Sequence, residues 1–421
     1  MRISRTAIFS GLLAAGSFAA QAQAAQLDAQ LRAAATAQQP AVIETLRELV
    51  LMESGSTDHE GVGKVMAYLD KRLQALDAKV ERVPSATGGP DLVRGTFNGT
   101  GKLKVMLIAH ADTVYDRGIL EREPFHLKGN LLYGPGIADD KGGIAVILHS
   151  LALLKARGWN DYATVTVLFN PDEEIGSPGS GETIAKLADE HDVVLSFEPS
   201  AAKAVIESEG VLLSAAGTSQ VRMTVQGLSA HAGAAPEQGR NALVELAHQI
   251  IQTKDVAAGV PGAQLNWTTA KAGTARNQIP ERAEVGGDAR VTQADSNANL
   301  LAALQAKVKQ SHAVPDTTTT VTLEPLRPIY VAGERGRALA DLAQEIYAEL
   351  DGRKLLMHPT TNGGTDAGFA GRSGHAAVLE GLGLAGWGYH ARNEFIEIDS
   401  IPPRLYLASR MLIELAKRAP N

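Results

Sequence analysis

The sequence predicts an α/β architecture whose chain is interrupted by a smaller α+β unit. Three observations carry that expectation. Between residues 103 and 197 short apolar runs alternate with stretches of helical periodicity, the pattern of parallel strands covered by helices. From about residue 214 to 326 the texture changes to longer strands, two helical segments and a run rich in Thr and Val. Beyond Pro328 the first texture returns, so the second unit reads as inserted into the first. At 421 residues the chain is also long for a single core, and roughly two or three domains of 100 to 200 residues are expected.

Taken in order, the N-terminus reads as an export signal. Arg2 and Arg5 precede the apolar stretch Ala7 to Ala20, and Ala22-Gln23-Ala24 supplies a small-x-small cleavage site. The apolar stretch is shorter than the roughly 20 residues that span a bilayer, which favours cleavage over a retained anchor. Residues 1–24 are therefore expected to be removed, leaving a periplasmic or secreted protein without a membrane anchor. Val42, Leu46, Leu49 and Val50, then Val65, Leu69, Leu73 and Leu76, recur at helical spacing and predict two opening helices. Strands are predicted over 103–109, 163–169 and 193–197, with helices over 143–156 and 182–188. In the insert, 211–225, 283–291 and 317–323 read as strands and 240–253 and 297–310 as helices. A helix over 336–350, a strand around 377–380 and a closing helix over 402–418 complete the chain. The boundaries adopted are 25–213 and 327–421 for the two parts of the outer domain and 214–326 for the insert.

Composition narrows the chemistry. With 44% hydrophobic and 21% charged residues the chain is ordinarily globular, and a formal net charge of −7 without any long basic run gives a nucleic acid no electrostatic footing. There is no cysteine, which removes disulfides, thiol nucleophiles and thiolate metal sites together. Neither a G-x-S-x-G elbow nor a P-loop occurs.

What remains is His, Asp and Glu. Three predicted strands end in such residues: His110 and Asp112 in LIAHADT, Glu173 and Glu174 in TVLFNPDEEIGS, and Glu198 in VVLSFEPS. In open α/β sheets the ligand crevice lies outside the carboxyl ends of the strands, so these distant residues can converge. Asp139 and Asp140 lie in the glycine-bounded YGPGIADDKGG, and His390 ends the glycine-rich GWGYH. Two His and three carboxylates suit two divalent ions, zinc among them. If one carboxylate bridges, each ion keeps a His, a terminal carboxylate and a place for water, and ions about 3.5 to 4 Å apart activate that water for hydrolysis.

In chain order HADT, GPGIADDKGG, NPDEEIGS, SFEPS, GLSAHAGAAPEQGRNA, GGTDA and GLGLAGWGYHARNEF resemble the motifs of the dinuclear zinc exopeptidases and deacylases. Within that family the chain looks closest to the bacterial glutamate carboxypeptidases that hydrolyse folates. The resemblance spans nearly the whole mature chain. It implies a mixed sheet flanked by helices, with the insert as a lid and dimerisation domain.

It also implies two zinc ions per subunit. His110 and Glu198 would bind different ions and Asp139 would bridge them. Glu174 would share one ion with His110, and His390 the other with Glu198. Glu173 is implied as the general base, and Asp112 as the hydrogen-bond partner of the second imidazole nitrogen of His110. The Asp139–Asp140 peptide bond is implied to be cis, and Asp140 gains no role. His231 would reach the active site of the partner in a homodimer and stabilise the oxyanion. Asn277 and Arg290 match positions that hold the substrate's terminal carboxylate, with Gly363, Gly364 and Thr365 presenting backbone donors nearby.

One departure bears on specificity. A lysine found just before the lid in the glutamate carboxypeptidases has its nearest counterpart here in Lys203, several residues earlier in a slightly longer segment. Arg327 matches an arginine near the lid's end that suits an acidic side chain. The reaction expected from the resemblance is release of a C-terminal amino acid, with glutamate leading, from a small-molecule conjugate or peptide. Deacylase or dipeptidase activity on the same fold stays open. So does a ligand-binding protein without turnover, against which the adjacent Glu173 and Glu174 argue.

Overall fold

The computed structural model describes residues 27–419, so the predicted export signal lies outside the described residues. Among the described residues no helix is long and apolar enough to cross a membrane. The chain opens with α1 (Ala29–Val50), α2 (His59–Ala75), β1 (Lys79–Val83), β2 (Leu92–Asn98) and β3 (Lys104–His110). It continues through α3 (Lys141–Ala156), β4 (Thr164–Asn170), α4 (Gly181–Ala188) and β5 (Val193–Ser196). The insert holds β6 (Gly217–Gln226), α5 (Ala242–Thr253), β7 (Ala263–Ala272), β8 (Arg282–Val291), α6 (Ser296–Lys307) and β9 (Thr318–Arg327). The last part contributes α7 (Gly333–Ala348), β10 (Ala377–Leu379) and α8 (Ile401–Arg418).

The central sheet runs β1-β2-β4-β3-β5-β10. β4, β3, β5 and β10 are parallel, while the β1–β2 hairpin joins antiparallel at the edge of β4, so the sheet is mixed. β3 and β4 are buried along nearly their whole length, which is why VMLIA and VTVLF read as continuous apolar runs. α3 is buried around its circumference because it packs on β3 and beneath both α1 and α8. α1 starts before the predicted position, at an Asp28 cap that accepts from the Leu31 amide at 2.9 Å, and runs through Pro40.

The insert is a four-stranded antiparallel sheet, β7-β8-β6-β9, with its own core of Val221, Met223, Val225, Leu246, Leu300 and Leu304. The predicted strand over 211–225 is not one strand. Gly210–Leu212 pairs with Leu356–His358, Ser214–Ala215 pairs with Tyr330–Val331, and only from Gly217 does the chain enter the second sheet. The return strand runs on through Arg327. A further five-stranded sheet, absent from the sequence reading, is assembled from pieces of two or three residues, and its Ala385–Trp387 strand leads into the loop bearing His390.

Candidate metal centre

β4, β3 and β5 are hydrogen-bonded side by side, so their carboxyl ends emerge together. His110 ends β3, Glu173 and Glu174 form a 3₁₀ turn just past β4, and Glu198 lies just past β5. Asp139 arrives on the loop before α3, and its peptide bond to Asp140 is cis. His390 arrives from the far end of the chain with a φ of 60°, a left-handed conformation uncommon outside glycine.

Asp139 lies between two imidazoles, Oδ1 at 2.9 Å from His110 Nε2 and Oδ2 at 3.2 Å from His390 Nε2. Glu174 Oε2 is 2.9 Å from His390 Nε2, and Glu198 Oε1 is 3.7 Å from His110 Nε2. In these contacts His390 meets Glu174 and His110 meets Glu198, while His110, Asp139 and Glu174, the set the resemblance implies, also offer ligand atoms all within 4.8 Å of one another. The cause is local. Glu198 leaves β5 directly beside the end of β3, whereas the 3₁₀ turn after β4 presents Glu174 to the His390 loop.

The electrostatics identify what the donors require. Burial, reinforced by Asp139, pushes the Glu198 carboxyl well above its usual range. Burial pushes Glu173 up to about 8 against the opposing charge of Arg327. Hydrogen bonds to Asp139 and Glu174 raise His390 to about 10. Asp139 is itself driven up by burial, but its two imidazole contacts outweigh this and hold it well below the usual carboxylate range. Alone, such a cluster keeps its carboxylates together only by retaining protons; divalent cations replace those protons on the same oxygens and nitrogens. Two His and three carboxylates, Asp139 central among them, therefore fit a pair of ions sharing that aspartate.

Around the donors, Arg327, Lys203 and Asp140 are placed differently from expectation, and Asp112 makes contacts beyond the expected one. His110 Nδ1 lies 3.0 Å from the backbone carbonyl of Asp112 and 3.4 Å from its carboxylate. Besides standing beside that imidazole, the Asp112 carboxylate accepts from the amides of Glu173 and Glu174, at 3.0 and 3.1 Å, and from Ser56 Oγ at 2.7 Å. It clamps the turn that bears Glu173 and Glu174 to the strand that carries His110. Arg327 is buried, with Nη2 at 2.9 Å from Glu173 Oε1 and also donating to the Glu173 carbonyl, so its charge is already met by the protein. Lys203 is likewise engaged, 3.2 Å from the buried Glu209. Asp140, left without a role, caps α3 by accepting from the Gly143 amide at 3.1 Å.

The glycine-rich turn is partly occupied as well. The Gly363 amide donates to Thr361 Oγ1 at 3.2 Å, and the Thr365 hydroxyl donates to the buried Glu380. A Cβ on Gly364 would stand 2.6 Å from Arg327 Nη1, so glycine is needed there for the guanidinium to fit. His231 and Asn277 are brought together on the lid, where the Ala232 amide donates to the Asn277 carbonyl at 2.9 Å. Arg290 on β8 pairs with Asp288 at 2.8 Å. Among the described residues no hydrogen bond or ion pair joins His231, Asn277 or Arg290 to the metal donors. Glu394, buried behind Asp139, is a residue the sequence reading passed over; its only signal was a carboxylate four positions after His390.

Residues 106–414 match Peptidase family M20/M25/M40. The chain is 42% identical over 416 residues to Carboxypeptidase G2 of Pseudomonas sp. strain RS-16, covering 98% of both proteins. It is 27% identical over 403 residues to acetylornithine deacetylase of Photorhabdus laumondii, covering 89% of this chain and 97% of that one. A tripeptidase from Staphylococcus aureus shares the fold with a TM-score of 0.72 at 20% identity, over 90% of this chain and 99% of that one. The M20 family metallo-carboxypeptidase Sso-CP2 from Sulfolobus solfataricus does so with a TM-score of 0.69 at 18% identity, over 88% and 98%. The convergent His and carboxylate donors, the lid-bearing α/β fold and a full-length match thus lead to one assignment: the chain belongs to Peptidase family M20/M25/M40 and is a metallopeptidase.

Proposed function

We propose that the protein is a dinuclear zinc carboxypeptidase that hydrolyses the amide bond before a C-terminal amino acid, with glutamate leading, in folate-like or other N-acyl substrates. The observation that carries this reading is Asp139 between His110 and His390 with Glu173 beside the donors. The identity to Carboxypeptidase G2 supports a carboxypeptidase. His110, Glu198 and Asp139 would hold one zinc ion and His390, Glu174 and Asp139 the other, and the bound metal would supply a lowered water pKa and a polarised carbonyl. Glu173 takes the proton from the attacking water and returns it to the leaving amine. Burial places its acidity near 8 before any cation is counted, which brings a group of this kind into the neutral range where acceptance and return both proceed.

His231 is suited to act on a partner subunit. Its Nδ1 accepts from the amides of Gly233 and Ala234 at 3.2 and 3.0 Å, leaving the ring hydrogen on Nε2 as an outward donor for an oxyanion. Exposed Leu243, Val244 and Ile251 on α5 give the lid an apolar face suited to a homodimer contact. Arg290, with Asn277, is assigned to the terminal carboxylate of the substrate, for which a guanidinium fork is well shaped. Export through the N-terminal signal places this activity in the periplasm or outside the cell.

One observation favours a second reading, an N-acyl amino acid deacylase. Arg327 and Lys203, the cations expected to meet an acidic side chain, face Glu173 and Glu209 instead. Both readings are tested by assaying the purified protein, with chelator and with zinc restored, against folyl-glutamate and N-acyl derivatives of glutamate, leucine and alanine. Zinc-dependent release of glutamate is expected. Faster release of leucine or alanine transfers the assignment to the deacylase, and activity that survives complete metal removal overturns both.

A further inference from the structure

Glu394 is buried and touches none of the metal-donor atoms, yet its carboxylate collects four hydrogen-bond donors. Oε1 accepts from the amides of Ala138 at 2.8 Å and Asp139 at 3.0 Å. Oε2 accepts from the Gly136 amide at 2.7 Å and lies 2.8 Å from the Tyr115 hydroxyl. That hydroxyl also lies 2.9 Å from the Ala391 carbonyl, and the Gly134 amide donates to the Glu394 carbonyl at 3.1 Å. A buried carboxylate is costly unless both oxygens are satisfied, and here three of the four donors come from one short loop, 136–139, and the fourth from Tyr115. The result is a tie between the loop that ends in Asp139 and the loop that carries His390.

The two halves of the donor cluster are not supported alike. His110 and Glu198 end adjacent strands of the central sheet, and the β3–β5 ladder fixes their separation. Asp139 and His390 both come from loops, and the His390 side chain is half exposed. Their separation depends on whatever joins those loops. We propose that Glu394 is a positioning residue that sets the distance between Asp139 and His390, and through it the affinity for the ion held by Asp139, His390 and Glu174. The proposal rests on the dinuclear reading above and concerns one ion of the pair.

Glu394→Gln tests it. The carboxamide keeps the shape but turns one acceptor into a donor facing a backbone amide or the Tyr115 hydroxyl. Metal-free protein is titrated with zinc by calorimetry, with circular dichroism to verify the fold. Wild type is expected to take up two ions. In Glu394→Gln one dissociation constant is expected to rise about 10- to 100-fold, the range for residues that orient metal ligands, while the other holds. Should that variant fail to fold, Tyr115→Phe, which removes one of the four donors, is expected to weaken the same single ion several-fold. Unchanged constants for both ions, or an equal weakening of both, overturn the proposal alone. A wild type that binds only one ion overturns the dinuclear reading and the proposal with it.

Discussion

Glu173 is held at its amide by Asp112, and its carboxylate Oε1 lies 2.9 Å from Arg327 Nη2. Glu173→Gln is expected to lower kcat about 10²- to 10⁴-fold, the usual contribution of a general base, with zinc content unchanged; an unaltered kcat assigns proton transfer elsewhere. Arg327→Lys keeps a positive charge but replaces the planar guanidinium, whose Nη2 stands at both the Glu173 carbonyl and Oε1, with a compact ammonium on a flexible stem. Its expected signature is a fall in kcat with little change in KM, and a rise in KM alone would return Arg327 to substrate binding. Gly364→Ala should reproduce the fall in kcat from the other side, by crowding the guanidinium. Acid acts on the same cluster through His390, whose proton, held up to a pH of about 10 by Asp139 and Glu174, competes with a metal ion. Zinc content after dialysis is therefore expected to fall as pH is lowered, and a content that is flat with pH would contradict this.

At the scale of elements, α1 and α3 meet through a buried histidine. His149 Nε2 lies 2.9 Å from Thr45 Oγ1 and Nδ1 lies 3.1 Å from Gln38 Oε1, and burial with the nearby Arg72 lowers its pKa from 6.5 to about 4. Between those values the unfolded chain binds the proton and the folded chain does not, so stability declines as pH falls through this window. The loss approaches about 3 kcal/mol by pH 4. His149→Gln should flatten the dependence of Tm on pH over that range, and an unchanged slope would move its origin to other groups. The elements that could be read from sequence were those whose burial leaves a signature. β3, β4 and β5 are continuous apolar runs because both faces are covered, and their acidic or histidine-bearing ends gave the donors directly. β1 (KVERV) and β7 (AQLNWTTAKA) are largely exposed or half-buried and carry no such signature. The change of sheet between Leu212 and Gly217 was hidden because apolar residues serve every partner alike. The donor pairing, the clamp by Asp112 and the contact of Arg327 with Glu173 were illegible for another reason. They depend on how turns from separate strands face one another, which no local pattern encodes.

For the whole molecule, the proposed mechanism asks the lid both to capture substrate and to bring a second subunit's His231 to the centre. Ile251→Asp on the exposed face of α5 is expected to yield a monomer in light scattering with little activity, and full activity in a monomer would exclude action across the dimer. Mixing inactive Glu173→Gln with inactive His231→Ala should restore turnover, because one site in each mixed dimer then holds an intact base and an intact partner histidine. No recovery would place His231 in its own subunit's site. The chain passes between the two cores twice, and Thr218 and Arg327, beside the two crossings, are paired residues. The lid therefore hangs on a single pin. At about 3.3 Å per residue β6 carries its far end roughly 30 Å from that pin, so a swing of about 10° displaces it by about 5 Å. Arg327 stands on the pin itself and scarcely travels. His231, beyond the far end of β6, rides near the tip of the lever, so a swing that carries it several ångströms leaves Arg327 beside Glu173.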